Sequence, residues 1–194
     1  MISKEKITGI ILAGGKSIRM GKDKGTCSFN NKPLVEYAIE ALKPFCGEIL
    51  ISANNIESYE KYAFKVVPDQ ISSIGPLGGI YTCLQKSGNK HNIILSCDTP
   101  FITSELIRYI IENIDADNEV VAPLHQHNFI EPLCAYYSKN LIPEIHECIE
   151  NKDYKLLRLL KSVKMKTLEI DSRLKFFTPK LFNNLNTPED LLKF

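Results

Sequence analysis

The sequence lacks an excess of charge of either sign. It carries 24 Lys and Arg residues against 23 Asp and Glu residues, which gives a formal net charge of +1 over 194 residues. A protein that coats nucleic acid needs a basic excess, so this balance argues against a nucleic-acid partner. The length suits about one domain, and the 44% hydrophobic content argues against a disordered chain.

Long apolar runs are also missing. No run approaches the roughly 18 residues of a membrane span, and the apolar stretch before Gly14 is too short for the core of a signal peptide. We therefore expect no membrane partner. The cysteines, which we expect to be reduced, predict a cytoplasmic protein.

The six cysteines form no CxxC pair and none lies at zinc-finger spacing with a histidine. Most of them lie in apolar segments, which predicts reduced thiols that act as small hydrophobic side chains. His125 and His127 could face one side of a strand, but a metal site there is disfavoured because no third ligand is apparent nearby.

Short apolar runs alternate with amphipathic stretches. The pattern predicts strands over 7–12, 48–53, 63–67, 92–97, 119–123, 132–137 and 164–170, and helices over 33–43, 79–85, 103–113, 140–150, 154–161 and 188–193. Such alternation predicts a mostly parallel sheet with helices on both faces, which is a Rossmann-like, three-layer α/β/α fold. No linker or repeat interrupts it, so we predict one domain over 1–194.

The most informative segment runs from Leu12 to Lys24 and follows the first predicted strand. Gly14 and Gly15 allow the backbone to approach a ligand closely and to direct N–H groups at anionic oxygens. Arg19 and Lys24 can neutralise phosphate charge. Open α/β sheets bind ligands at this position, the carboxyl end of a strand.

Two better-known phosphate-binding motifs do not fit this segment. A P-loop requires G-x-x-x-x-G-K-[ST], but Gly15 and Gly21 are one residue too far apart and Asp23 stands where Ser or Thr should be. The dinucleotide fingerprint G-x-G-x-x-G fails because the first glycines are adjacent. A glycine-rich turn with solvated charges remains the simpler alternative.

Two acidic residues follow other predicted strands. Asp69 begins the loop that leads to Gly78 and Gly79, and it could hold a ribose hydroxyl, a base edge or water around a metal, or simply cap the loop. Asp98 ends an apolar central strand, where a carboxylate is costly without a partner. Mg²⁺ bridging phosphates would be a natural partner. Helix capping by Asp98 is the alternative, although Thr103 or Ser104 can already cap the next helix.

These features lie at one edge of one predicted sheet. The edge suits a nucleoside triphosphate with its metal, and without a P-loop, attack at the α-phosphate is favoured over hydrolysis of the γ-phosphate. The residues themselves therefore predict nucleotidyl transfer to an unspecified acceptor.

The sequence resembles the molybdenum cofactor guanylyltransferase family of nucleotidyltransferases over nearly its whole length. The matching motifs are Leu12-Ala-Gly-Gly-x-Ser-x-Arg-Met-Gly-x-Asp-Lys24, Lys32-Pro-Leu34, Gly75-Pro-Leu-Gly-Gly79, Cys97-Asp-Thr-Pro-Phe101, Glu131-Pro-Leu-Cys-Ala135 and Phe182-Asn-Asn-Leu-Asn-Thr-Pro-Glu-Asp190. The last motif most separates this family from the sugar-nucleotide enzymes.

The resemblance implies a role for each matching position. The residues expected to bind GTP are Leu12, Ala13, Gly14, Gly15, Lys24, Ser52, Asn54, Asp69 and Asp98. Catalytic roles are implied for Arg19, Lys24 and Asp98, with Asp98 binding Mg²⁺. Ser52 and Asn54 stand where the family often has Asn-x-Asn. The residues expected to bind the acceptor are Gly78, Lys155, Asn184 and Asn186.

The implied reaction transfers GMP from GTP to the phosphate of molybdopterin, releasing pyrophosphate. The reading Leu12-Ala-Gly-Gly15 favours GTP, because relatives that use CTP tend to have Leu-Ala-Ala-Gly. The nucleotide-binding part is expected over about 1–125 and the acceptor-binding part over about 126–194. Molybdoenzyme apoproteins or chaperones are further candidate partners. The alternatives are a cytidylyl- or sugar-phosphate nucleotidyltransferase and a non-catalytic nucleotide or cofactor carrier.

Overall fold

One extended sheet organises the protein. The computed structural model describes residues 2–14, 23–71, 73–126 and 128–193. The strands are β1 (Ile7–Leu12), β2 (Ser28–Phe29), β3 (Lys32–Pro33), β4 (Glu48–Ser52), β5 (Lys65–Val67), β6 (His91–Ser96), β7 (Val120–His125), β8 (Phe129–Ile130), β9 (Cys134–Ser138) and β10 (Met165–Glu169). The α-helices are α1 (Leu34–Leu42), α2 (Pro76–Lys86), α3 (Ser104–Glu112), α4 (Ile142–Glu150), α5 (Leu156–Ser162) and α6 (Pro188–Lys193).

The strand order in the sheet is β10-β7-β9-β6-β1-β4-β5, with β8 paired to β7. Parallel pairing joins β5, β4, β1 and β6, and also β7 and β10, whereas β9 pairs antiparallel with both β6 and β7. The mostly parallel sheet is therefore confirmed, with β9 as the reversed strand inside it. The short strands β2 and β3 form a separate hairpin.

Helices cover both faces of the sheet and create two apolar cores. Helices α1 and α3 pack on one face, against side chains such as Ile11 and Ile93. Helices α2, α4 and α5 pack on the other face, against their sequence neighbours Ile10 and Ile94. Because successive strand residues point to opposite faces, apolar runs of this kind are typical of strands buried on both sides. The three-layer prediction is confirmed.

Cysteines contribute to these cores as predicted. Five of the six are buried, at positions 27, 46, 83, 97 and 134. Burial raises the pKa of Cys46 and Cys83 to about 12 and also raises the pKa of Cys97 and Cys134.

Among the described helices, none combines the length and apolar character needed to cross a bilayer.

Most predicted elements are present, and α2 shows the main shift in a boundary. It begins at Pro76, three residues before the predicted start, since proline is well suited to the first turn of a helix. Gly78 consequently lies inside the first turn rather than before it, and Gly79 is the fourth residue of the helix rather than the first. Thr103 occupies the N-cap position of α3, as one of the two predicted capping residues.

Candidate active site

The carboxyl ends of four neighbouring strands meet at one edge of the sheet. Leu12 at the end of β1 is in register with Ser52 of β4 and Ser96 of β6, and Ser52 is in register with Val67 of β5. The chain therefore leaves all four strands at the same level. The four segments that follow carry most of the predicted site residues.

A charged cluster lies where β6 ends. Lys24 Nζ is 2.6 Å from Asp98 Oδ2 and donates a second hydrogen bond of 2.6 Å to Asn186 Oδ1. The side chains of Lys24 and Asp98 are only 16% and 17% exposed, so the pair is largely removed from solvent. Residues from the beginning, the middle and the end of the chain thus converge on one ammonium group.

The C-terminal segment is fixed to this cluster by its backbone and by packing. The Leu185 amide donates to the Asp98 carbonyl at 2.9 Å. The Leu185 side chain is fully buried in a small core with Cys27, Phe29 and Leu34, which follow Lys24 in the chain. Asn186 is therefore held beside Lys24 by an apolar anchor one residue away.

The second part of the site lies between β1, β4 and β5. The Ala13 and Gly14 amides both donate to the Ser52 carbonyl, at 3.0 and 2.8 Å. The Ser52 hydroxyl donates to Asp69 Oδ1 at 3.1 Å, and the Asp69 amide donates to Asn54 Oδ1 at 3.0 Å. Five of the predicted GTP-binding residues are therefore brought into one hydrogen-bonded group.

Asp69 is half-buried in this group. Burial raises the pKa of its carboxyl, and the hydrogen bond from the Ser52 hydroxyl partly opposes that rise. Helix α2 approaches the same point closely, since a Cβ on Gly79 would lie 2.6 Å from Ser52 Oγ and 3.3 Å from Asp69 Oδ1. Glycine at 79 is thus required by the close approach of the helix to this group.

The residues predicted to bind the acceptor are more dispersed. Asn184 is exposed, and Lys155 is exposed at the N-terminus of α5, where its contacts are to nearby residues of its own segment. A Cβ on Gly78 would lie 2.7 Å from the Ile71 carbonyl oxygen, so packing of the adjacent loop already accounts for that glycine. Only Asn186 reaches the Lys24–Asp98 pair among the described residues of this set.

Several residues considered in the sequence lie outside the described residues, among them Gly21. Gly15 and Arg19 belong to the segment 15–22, and His127 follows Gln126. Their predicted roles remain predictions.

The pairing of two polar side chains near the site, His125 and Glu131, was not predicted from the sequence. His125 Nε2 is 2.8 Å from Glu131 Oε1, and the His125 ring stacks on Phe182 with centroids 4.3 Å apart. Burial raises the pKa of Glu131, while His125 lowers it and the nearby charge of Asp98 adds to the rise. The motif Glu131-Pro-Leu-Cys-Ala135 was the feature of the sequence that could have indicated this pair. The stacked rings of His125 and Phe182 bring β7 into contact with the segment before Asn184.

The oxygen atoms at the edge of β6 suit a divalent cation. Asp98 Oδ2 and Asn186 Oδ1 both lie 2.6 Å from the same positive group, the Lys24 ammonium. Carboxylate and amide oxygens are also suitable ligands for hard cations. Asp98, the residue predicted to bind Mg²⁺, is therefore compatible with the ion by donor type, while the described residues contain no cluster of three or more His, Cys, Asp or Glu side chains that could hold a metal.

The class of protein follows from this combination of fold and edge. In the described residues, the open sheet brings Gly14, Lys24 and the strand-end Asp98 to the same edge, and a solved structure shares this fold. Molybdopterin-guanine dinucleotide biosynthesis protein A from Archaeoglobus fulgidus superposes with a TM-score of 0.79 at 25% identity, covering 96% of this chain and 95% of that one. The family model and the curated relatives that match this chain define it as a nucleotidyltransferase.

The chain belongs to the family of the MobA-like NTP transferase domain, whose model matches residues 9–168. A probable molybdenum cofactor guanylyltransferase from Flavobacterium johnsoniae is 35% identical, with 96% of this chain and 95% of the relative covered. A molybdenum cofactor guanylyltransferase from Vibrio parahaemolyticus is 34% identical, with 100% and 97% covered. The resemblance inferred from the motifs is confirmed.

Proposed function

We propose that the protein transfers GMP from GTP to the terminal phosphate of molybdopterin in the cytoplasm. The observation that carries the proposal is the convergence of Lys24, Asp98 and Asn186 at the carboxyl edge of the sheet. The names of full-length relatives supply the substrates, since both are guanylyltransferases of the molybdenum cofactor.

The reaction needs no general base. An acceptor phosphate oxygen attacks the α-phosphorus of GTP, a new P–O bond forms, and the bond from the α-phosphorus to the oxygen bridging to the β-phosphate breaks. Pyrophosphate leaves with that oxygen. Because a phosphate monoester already carries negative charge at neutral pH, catalysis depends mainly on alignment and charge stabilisation.

Lys24, which lies within the part of the chain that the structure describes, provides positive charge for this stabilisation. Its ammonium group stabilises charge on the phosphoryl oxygens, with Arg19 and the amide of Gly15 as proposed contributors. The Gly14 amide is not one of them, because it already donates to the Ser52 carbonyl. Since Lys24 is paired with Asp98, GTP binding has to redistribute that contact. Mg²⁺ held by Asp98 would orient the phosphates and screen their charge.

The nucleoside is assigned to the hydrogen-bonded group around Ser52. The Asp69 carboxylate accepts from the base or ribose, the Asn54 carboxamide nitrogen donates to the nucleoside, and Leu12 and Ala13 line it. The acceptor is assigned to the C-terminal side of the edge, where Asn184 and Asn186 follow the stacked Phe182. Gly78 and Lys155 complete the proposed acceptor contacts, and molybdoenzyme apoproteins or chaperones would receive the product.

Competition between nucleotides tests which base the site binds, and pyrophosphate release tests the acceptor. GTP is expected to displace a fluorescent guanine nucleotide at concentrations at least about tenfold lower than CTP or UTP, since one or more charge-assisted hydrogen bonds read the base. Pyrophosphate should appear only when GTP, Mg²⁺ and molybdopterin are all present. Preference for CTP or UTP would indicate a cytidylyl- or sugar-phosphate nucleotidyltransferase. GTP binding without pyrophosphate release would indicate a carrier.

A further inference from the structure

Lys24 lies on a very short turn, and that turn is held by the residue before it. The 3₁₀ turn Lys24–Thr26 begins after Asp23, whose Oδ1 accepts from the Gly25 amide at 3.2 Å. The Asp23 carbonyl accepts from the Thr26 hydroxyl at 2.7 Å and from the Thr26 amide at 3.1 Å. Asp23 therefore fixes the backbone from which the Lys24 side chain extends.

A buried tyrosine holds Asp23 from the other side. Tyr59 has no exposed surface and lies in the 3₁₀ helix Glu57–Tyr62, which connects β4 to β5. Its hydroxyl donates to the same Asp23 oxygen that caps the turn. Burial, together with Asp23, raises the pKa of Tyr59, so this hydroxyl keeps its proton and remains a donor.

The fit around this hydroxyl is tight. A Cβ on Gly25 would lie 2.5 Å from the Tyr59 hydroxyl oxygen, and 3.2 Å from both Tyr59 Cε1 and Ala13 Cβ. Glycine at 25 thus leaves the space that the hydroxyl occupies. The contact also connects the turn to the segment between β4 and β5, whose Asn54 belongs to the proposed nucleoside site.

We propose that Tyr59 is a positioning residue for Lys24. Its hydroxyl orients the Asp23 carboxylate, which shapes the turn that directs the lysine ammonium towards Asp98 and the triphosphate. Tyr59 itself contacts no substrate. The inference rests on the proposed role of Lys24 in binding phosphate, and it adds a residue outside the motifs that identify the family.

The chain contains a matched control on the same 3₁₀ helix. The Tyr62 hydroxyl donates to a carboxylate, Glu36 Oε1, at 2.9 Å, and burial and that bond raise its pKa as well. This bond connects the helix to α1 rather than to the Lys24 turn. Tyr62→Phe therefore removes a similar bond from the same element without affecting the proposed device.

Binding of GTP and guanosine to the full chain, measured by calorimetry, tests the proposal. Tyr59→Phe is expected to weaken GTP binding about tenfold, the usual cost of a hydrogen bond to a charged group, and to leave guanosine binding unchanged. Tyr62→Phe should bind both ligands as the parent protein does. Equal GTP affinity in Tyr59→Phe and the parent, or an equal loss for guanosine, would overturn the proposal.

The double variant that combines Gly25→Ala with Tyr59→Phe provides a second measurement. Gly25→Ala should impair GTP binding more than Tyr59→Phe, because the added methyl group displaces the hydroxyl and the turn. In the double variant the hydroxyl is absent, so GTP affinity should recover above that of Gly25→Ala. No recovery in a folded double variant would contradict the packing argument.

These measurements also separate this proposal from the proposed reaction. The measurements on the Tyr59 and Gly25 variants report binding alone. A parent protein that binds GTP without transferring GMP would therefore overturn the proposed function, and the role of Tyr59 would still be decided by the affinities of its variants.

Discussion

Replacing Lys24 with methionine is expected to lower the turnover number for GMP transfer by about 10²- to 10³-fold. Methionine keeps much of the length and apolar stem of lysine but removes the charge that would stabilise the phosphoryl oxygens. Losses of this size are typical when one preorganised donor to a developing oxyanion is removed. Steady-state pyrophosphate release at saturating GTP and molybdopterin measures the effect.

A second Lys–Asp pair in the molecule supplies the control. Lys166 Nζ lies 2.8 Å from Asp115 Oδ2, on the outer strand β10 and the connection before β7. Lys166→Met removes a more exposed Lys–Asp ion pair away from the proposed site, so its turnover should match that of the parent protein. Comparable losses in both variants would show that Lys24 acts through stability rather than through phosphate.

Removal of the Asp98 carboxylate is expected to abolish turnover while the protein remains folded. Asp98→Ala eliminates the proposed Mg²⁺ ligand and also leaves the largely buried Lys24 ammonium without its acidic partner. Lewis-acid stabilisation contributes several kcal/mol to a transition state, which corresponds to a loss of about a thousandfold or more. Turnover and binding of Mn²⁺, followed by electron paramagnetic resonance, measure the two consequences separately.

Asp115→Ala is the matched control, because it removes the acidic partner of Lys166 in the same way. It should retain both turnover and the Mn²⁺ signal. An Asp98→Ala protein that still turns over without added divalent metal would contradict the assignment of Asp98.

Local patterns predicted the framework of the site well. β1 and β6 are recognisable because their runs of apolar residues suit strands buried on both faces, and the residues that follow them therefore fall at the carboxyl edge. Their direction in the sheet is harder to predict. β9 has an apolar pattern much like that of β6 and β7, yet it runs antiparallel to both, because its direction depends on tertiary pairing.

Contacts between distant segments were less accessible from the sequence. The resemblance assigned Asn186 to the acceptor, and the direct bond from its carboxamide to Lys24 joins residues 162 positions apart. The hydrogen bond between Tyr59 and Asp23 likewise joins two loop segments, one after β1 and one between β4 and β5. No periodic pattern in the sequence relates these segments. Such contacts depend on where loops meet after the sheet has formed, and a single sequence carries no pattern for that event.

The fate of the α-phosphate tests the central claim most directly. Purified protein would be incubated with Mg²⁺, molybdopterin and GTP labelled either at the α- or at the γ-phosphate, and the products separated chromatographically. The account predicts that the α-label enters the guanine dinucleotide product and that the γ-label appears in pyrophosphate. Release of the γ-label as orthophosphate, or no transfer of the α-label to molybdopterin, would contradict it.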